Sequence, residues 1–452
     1  MLNEMGAVAR RSPLIRLFTV GFLALLLQVP VILIAMLVSE RRERRTEAVK
    51  EVSSKWGGTQ SLTGPVLVVP YRRRITEAPA SGGPEMTRIS TGEAVFLPER
   101  LELQGKMTPE IRRRGIFSIP VYTLALEARG RFAPPDWSVV GIDPADAEWK
   151  DAYLAMSVAD TRAIQRLTDL QWGEARSGFL PSAGRFHDGV PGVHAAVPTA
   201  PSANGTSFAF SAVLNGTQGV YFTPFGKQTE VHLESSWLSP SFQGNWIPAR
   251  RTVNQHGFVA EWSIPDLGRD FPQAWPDVDA YSRQVDASRF GLDLMQSVDS
   301  YRMAERSVKY AILFLLLTLG SVWLAEILGR LLVHPIQYCL LGAALVLFYL
   351  LELALSEHLG FTAAYLIATS AIVAMVGCYG AVVLHSFKRA AWLGAGVAAL
   401  YGYLYVVLTN EDDALLVGAI GLFVLLAAVM YVTRRVDWFR IEGPGGEMRP
   451  AA

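Results

Sequence analysis

Hydrophobic residues run almost unbroken over 14–38, and again over 310–328, 336–355, 363–384, 391–409 and 414–432. A helix needs about 20 mainly apolar residues to cross a hydrocarbon layer of about 30 Å, so each run predicts a transmembrane helix. One is N-terminal and five are C-terminal. Tyr310, Trp323, Tyr338, Trp392 and Trp438 fall at or near the ends of these runs, where amphipathic rings prefer the membrane interface. Arg10, Arg11 and Arg16 precede an apolar stretch as they would in a secretory leader, but its core is too long and no small-x-small cleavage site follows. A retained anchor is expected.

Between the first and second runs the period changes. ERRERRTEAVKEV, which begins at Glu40, is helix-compatible, and Glu40 precedes Arg44 by four residues in the favoured order. The anchor is therefore expected to continue as a helical stalk over 39–56. After Trp56-Gly57-Gly58 the pattern alternates. Tyr122, Leu124, Leu126 and Ala128 share one face, as do Phe208, Phe210, Ala212 and Leu214, and Phe258, Ala260, Trp262 and Ile264. VLVVPY, after Gly64-Pro65, is apolar on both faces and suits a central strand. Short strands between Gly, Pro and Asn turns predict a β-sandwich-like domain over 57–290. The stretch 177–206, rich in Gly, Pro, Ala and Ser, is expected to separate two lobes or to form one long surface loop. The stretch 266–286 reads as an irregular connector to a second helical stalk, 291–309, in which Glu305 and Lys309 are also four apart.

Orientation follows from Lys and Arg in the short connections. Arg330, then Lys388 and Arg389, then Arg434, Arg435 and Arg440 mark alternate connections, whereas 356–362 and 410–413 carry none. Both termini are expected in the cytoplasm and 39–309 in the periplasm. Arg41, Arg42, Arg44 and Arg45 defy that bias locally, yet they begin a segment of roughly 270 residues, and domains of that length cross largely regardless of charge. The organisation expected is an α+β membrane protein of the inner-membrane type. Its parts are a cytoplasmic end and first helix (1–38), a stalk (39–56), a periplasmic β-rich domain (57–290), a second stalk (291–309), a five-helix bundle (310–433) and a cytoplasmic tail (434–452).

Composition narrows the function. The 452 residues are 51% hydrophobic with 41 basic and 41 acidic side chains, so no global positive field favours nucleic acid. Cys339 and Cys378 both lie in apolar runs, and the aqueous domain must fold without disulfides. No GxSxG, phosphate loop, GxGxxG or HExxH occurs, which leaves catalysis without a local signal and calls for no cofactor. His232 alternates with apolar neighbours as a solvent-facing strand residue would, His187 and His194 lack metal-ligand spacing, and His256 precedes a strand in a turn. Ionisable groups near lipid carry more information, because burying them is expensive. Glu352 lies inside the third run, with Glu357 and His358 at its outer end; with Glu411, Asp412 and Asp413 they could form a titratable patch for a cation, a proton or a basic segment. Arg41, Arg42, Arg44 and Arg45 are candidates for lipid-headgroup phosphate contact. Glu326 and Arg330 are spaced for an interfacial ion pair, and Gly377, Ala381, Gly394, Ala398 and Gly402 for close helix packing.

Three long stretches, VSERRERRTEAVKEVSSKWGGTQSLTGPVLVVPY, FGLDLMQSVDSYRMAERSVKYAILF and HPIQYCLLGAALVLFYLLELALSEHLGF, resemble the CreD family of bacterial inner-membrane proteins. The resemblance runs from about residue 14 to 439 and matches least clearly over 177–206. It implies a protein tied to cell-envelope integrity, produced under a two-component system answering carbon source or envelope stress, and associated with colicin tolerance and β-lactam response. It implies no catalytic residues. The expected function is a non-enzymatic envelope role through contacts of the β-domain, with the bilayer and an envelope protein as partners. The alternative is a transporter or transport accessory working through Glu352, Glu357 and His358.

Overall fold

The computed structural model describes residues 13–77, 86–186, 189–294, 300–329, 331, 333–410 and 413–434. His187, Arg330, Glu411, Asp412, Arg435, Arg440 and the tail beyond 434 lie outside them. The chain divides into two compact units, Met1–Thr46 with Val298–Ala452, and Glu47–Ser297.

The first unit is helical. Helix α1 (Pro13–Leu26) is followed by α2 (Gln28–Trp56), with a break at Leu27. Pro30 causes it: proline has no N–H to donate to the Leu26 carbonyl, and its ring crowds that turn. Helix α2 then runs without interruption through the arginine-rich segment. Helices α3 (Ser300–Lys309) and α4 (Ala311–Gly329) are bent by 46° at Tyr310. Helices α5 (Pro335–Leu359), α6 (Phe361–Val383), α7 (Phe387–Thr409) and α8 (Ala414–Thr433) complete the unit. Among the described residues five helices are long and apolar enough to cross a membrane, or six if the bent pair is one span, one N-terminal and the rest C-terminal as expected.

Helix α5 begins sharply because His334 caps it: its ring accepts from the Ile336 N–H, Gln337 closes the capping box, and Pro335 suits the first helical position. Of the small residues, Gly394 and Gly377 do meet, since a Cβ added at Gly394 would stand 3.8 Å from the Gly377 Cα. Ala398 and Gly402 are exposed, and the helices also come close at Gly380, where an added Cβ would stand 4.0 Å from the Ala390 Cα.

The second unit is built of strands. They are β1 (Gln60–Glu77), β2 (Met86–Phe96), β3 (Arg100–Arg114), β4 (Phe117–Phe132), β5 (Tyr153–Val158), β6 (Ile164–Leu167), β7 (Leu170–Trp172), β8 (Ala175–Ser177) and β9 (Phe179–Pro181). There follow β10 (Gly192–Ala196), β11 (Thr206–Thr217), β12 (Gly219–Phe222), β13 (Gln228–Ser235), β14 (Pro240–Gly244), β15 (Arg250–Asn254), β16 (Gly257–Pro265), β17 (Ala274–Trp275) and β18 (Phe290–Leu294). One sheet has the order β14-β18-β12-β1-β5-β10-β9, with β2 beside β1 and β17 beside β2. The other has the order β15-β16-β13-β3-β4-β11-β7-β8, with β6 beside β11. Pairing is antiparallel except for β1 with β12 and β3 with β13. Val66, Leu67, Val68 and Val69 are all fully buried, which places VLVVPY at the centre of its sheet as its two apolar faces predict. A single apolar core draws side chains from both sheets. The last turns of α2 pack Ala48 against Ile119 and Val121 of the β3–β4 hairpin, and Arg114 donates to Glu51 at 2.8 Å.

Three expectations are corrected. The stretch 177–206 divides no lobes: β10 pairs residue by residue with β5, and the Phe179 ring meets Phe210 edge-on at 5.4 Å. Its strands are too short for alternation to stand out among the glycines and prolines. The connector 266–286 is not wholly irregular, because β17 pairs with β2 and drives Trp275 into the core. The second stalk does not begin at 291. Phe290, Leu292 and Leu294 are buried in strand β18, held between β12 and β14, and helix starts at Ser300.

Candidate functional site

Glu352, Glu357 and His358 do not form one cluster. Helical period decides this: five or six residues carry a side chain well around the helix from Glu352, so the three meet different surroundings. Glu352 is 0% exposed, and its Oε2 accepts a 2.8 Å hydrogen bond from the Ser307 hydroxyl of α3. Its Oε1 has no hydrogen-bond partner. Tyr349 on the same helix, Tyr365 on α6 and Tyr401 on α7 interact with it electrostatically, and the hydroxyls of Tyr349 and Tyr401 are likewise buried without partners. Phe348 packs these rings together, 4.2 Å from Tyr401 and 5.3 Å from Tyr365 between ring centroids. Glu357 accepts from the Tyr301 hydroxyl at 3.1 Å and lies 3.9 Å from the Arg41 guanidinium, while His358 is exposed.

The arginines of α2 turn largely to carboxylates of their own unit. Arg41 faces Glu357, Arg42 reaches Glu305 at 3.1 Å, and Arg44 holds Glu40 at 2.6 Å in the i,i+4 pair read from the sequence. Arg45 lies within electrostatic range of Tyr301. Glu305 also holds Lys309 at 3.0 Å, the other expected i,i+4 pair. Arg306 donates to the carbonyls of Val407 and Leu408 at 3.0 and 3.2 Å, supplying donors and positive charge at the C-terminal end of α7. Helix α3 is thereby tied to α2, α5 and α7.

A second buried carboxylate, Glu326, meets a partner far away in the chain, while the Arg330 expected beside it lies outside the described residues. Glu326, 2% exposed, meets the guanidinium of Arg16 on α1, accepts from the Tyr338 hydroxyl at 2.6 Å and from the Val333 N–H at 3.1 Å. Spacing along a helix registers neighbours three or four residues apart and is blind to a partner 310 residues away in the chain.

In the β unit, charge gathers at one end of the β13-β3-β4 ladder. Glu99, Arg100, Glu102, Arg129, Arg131, Lys227, Glu230 and Asp266 line an open depression of about 930 Å3. Arg100 pairs with Glu102 at 2.6 Å and Glu230 at 3.6 Å, and Arg131 donates to Glu99 at 2.9 Å. Arg269 fixes the loop beside it, donating to the carbonyls of Pro224, Phe225 and Gly226 at 3.0, 2.9 and 3.3 Å. Burial pushes this guanidinium down to about 10, against the opposing pull of Asp266. Sequence reading missed the depression, because its eight charges come from separate strands and loops. His232 is exposed on β13, 3.4 Å from Glu261, and the His194 ring meets the Ser182 carbonyl at 2.7 Å. Among the described residues no three His, Cys, Asp or Glu side chains converge as metal ligands would.

Comparison with known proteins bears on the whole arrangement. The profile of the family described as Inner membrane protein CreD matches residues 12–439. The chain is also similar to Inner membrane protein CreD of Escherichia coli (strain K12), 31% identical over 444 residues, with 96% of each chain covered. A match from the first apolar helix through the β unit to the end of the last helix leaves no part of the architecture unaccounted for: the chain belongs to the family of the inner membrane protein CreD.

Proposed function

We propose that this protein supports cell-envelope integrity and the envelope-stress response without catalysing a reaction, through contact between its β unit and another envelope protein. The observation that carries this reading is the charged depression at the β13-β3-β4 end. Four carboxylates and four cationic side chains stand there, with Arg100 held by Glu102 and Glu230, Arg131 by Glu99, and the neighbouring loop fixed by Arg269. Such a surface has little net field for nucleic acid or for one bulk anion, but it gives register to a protein segment carrying both signs. In this reading the β unit is periplasmic and both termini are cytoplasmic. Lys388 and Arg389 at the start of α7, against the uncharged or acidic 356–362 and 410–413 connections, support that orientation.

Topology is tested with Leu267→Cys, at a position 92% exposed in the β unit, in a background with Cys339→Ser and Cys378→Ser. A membrane-impermeant maleimide is expected to label it on intact spheroplasts. Labelling only after permeabilisation would reverse the orientation. For the contact itself, a photo-crosslinking residue in place of Gln104, exposed on β3 beside Glu102 and Lys106, is expected to trap one discrete partner in intact cells. Reversing charge with Arg100→Glu and Arg131→Glu is expected to lower the adduct by about tenfold, the equivalent of ~1.4 kcal/mol. An adduct of unchanged yield in the reversed variant sinks the proposed role of the depression.

A further inference from the structure

Glu352 presents an electrostatic problem that its surroundings leave open. Its carboxyl is fully buried within the helical unit, two turns from the C-terminal end of α5, and the one hydrogen bond made to it comes from the neutral Ser307 hydroxyl. The nearby cations are turned elsewhere: Arg41 to Glu357, Arg42 to Glu305, and Arg306 to the Val407 and Leu408 carbonyls. Among the described residues, tyrosines interact with it electrostatically: Tyr349 of α5, Tyr365 of α6 and Tyr401 of α7. Tyr365 spends its proton on the Tyr401 carbonyl at 2.6 Å. Three oxygens, Glu352 Oε1 and the hydroxyls of Tyr349 and Tyr401, therefore remain buried without partners in one aromatic-walled region. Negative charge in such a place is costly, and one neutral hydroxyl offsets little of it. Oxygen-rich surroundings with one carboxyl suit a hard, small cation.

We propose that Glu352, flanked by the Tyr349 and Tyr401 hydroxyls, is an intramembrane binding site for a single small positive charge, delivered as a proton or as a sodium ion. The bound charge neutralises Oε1 from solution, because no side chain among the described residues makes a hydrogen bond to it. The Ser307 bond makes α3 one wall of the site, so occupancy is coupled to how that helix seats on α5. This holds whether or not the β unit binds a partner, and its test is independent of the crosslinking above.

The experiment uses the full chain in lipid nanodiscs, with dicyclohexylcarbodiimide as an apolar reagent for a protonated carboxyl, and mass spectrometry of the peptide bearing Glu352. Labelling that fades as pH rises and ignores sodium identifies the proton. Labelling suppressed by sodium chloride relative to choline chloride, with a sodium-dependent rise in the unfolding temperature, identifies the sodium ion. Either result supports the site, and Glu352→Gln, which keeps the Ser307 bond, is expected to lose both responses. Tyr401→Phe retains the ring packing and is expected to weaken the sodium response. Wild-type protein showing neither label nor sodium-dependent stabilisation overturns the proposal, as does a sodium response that persists in Glu352→Gln. Should the glutamine variant fail to fold, the wild-type label and salt response decide alone.

Discussion

Replacing Arg16 by alanine is expected to destabilise the helical unit by about 3 kcal/mol, because breaking a buried pair strands the remaining charge. Glu326 is the group left behind. With 2% exposure it keeps the Tyr338 hydroxyl and the Val333 N–H, neither of which carries a compensating charge. Arg16 is the first-turn residue of α1 that reaches it, so the pair also anchors α1 against α4. The double variant Arg16→Gln with Glu326→Gln removes both charges while leaving hydrogen-bonding groups of similar size, and it is expected to recover most of the loss. Denaturation of the full chain in lipid nanodiscs measures both. An unchanged midpoint in the single variant would mean that water or another group already serves Glu326.

The β unit has a comparable single point of failure at Trp262. This side chain is 2% exposed on β16, yet its neighbours come from the opposite sheet: Phe290 of β18 at 5.7 Å and Phe242 of β14 at 5.8 Å between ring centroids. Its indole N–H donates to the Trp246 carbonyl at 3.1 Å, so the side chain is satisfied as well as enclosed. Trp262→Ala is expected to cost about 4 kcal/mol, through lost transfer energy and the cavity left between the sheets. For a unit of this size that lowers the unfolding temperature by roughly 10 °C. Trp262→Phe, which keeps an aromatic ring there, should lose clearly less. Equal losses in the two variants would place the stabilisation in the indole hydrogen bond and not in the packing.

Glu352 and Trp262 show where sequence reading stops. Alternation alone places Trp262 on one strand face with Phe258, Ala260 and Ile264, and in the structure that face is buried. Nothing in that pattern says which opposite strand supplies the ring that touches it. For Glu352, helical period separates it from Glu357 and His358. Helix α5, however, is apolar around most of its circumference, so no polar stripe announces which side faces the bundle. The Arg16 to Glu326 pair was hidden more completely, since only neighbours three or four apart can be paired by spacing.

Local rules were enough for what the chain does locally. Length and apolar continuity gave the six hydrophobic segments, alternation gave the strand faces, VLVVPY declared itself a central strand, and Glu40 with Arg44 and Glu305 with Lys309 were legible as pairs. Tertiary structure alone decided that 177–206 and 290–294 join the sheets, that eight separated charges share one depression, and that two glutamates enter the helical unit in opposite circumstances. The reason is physical: a short strand or a buried charge is stable only through contacts distant in the chain, and their worth does not exist until the fold has brought them together.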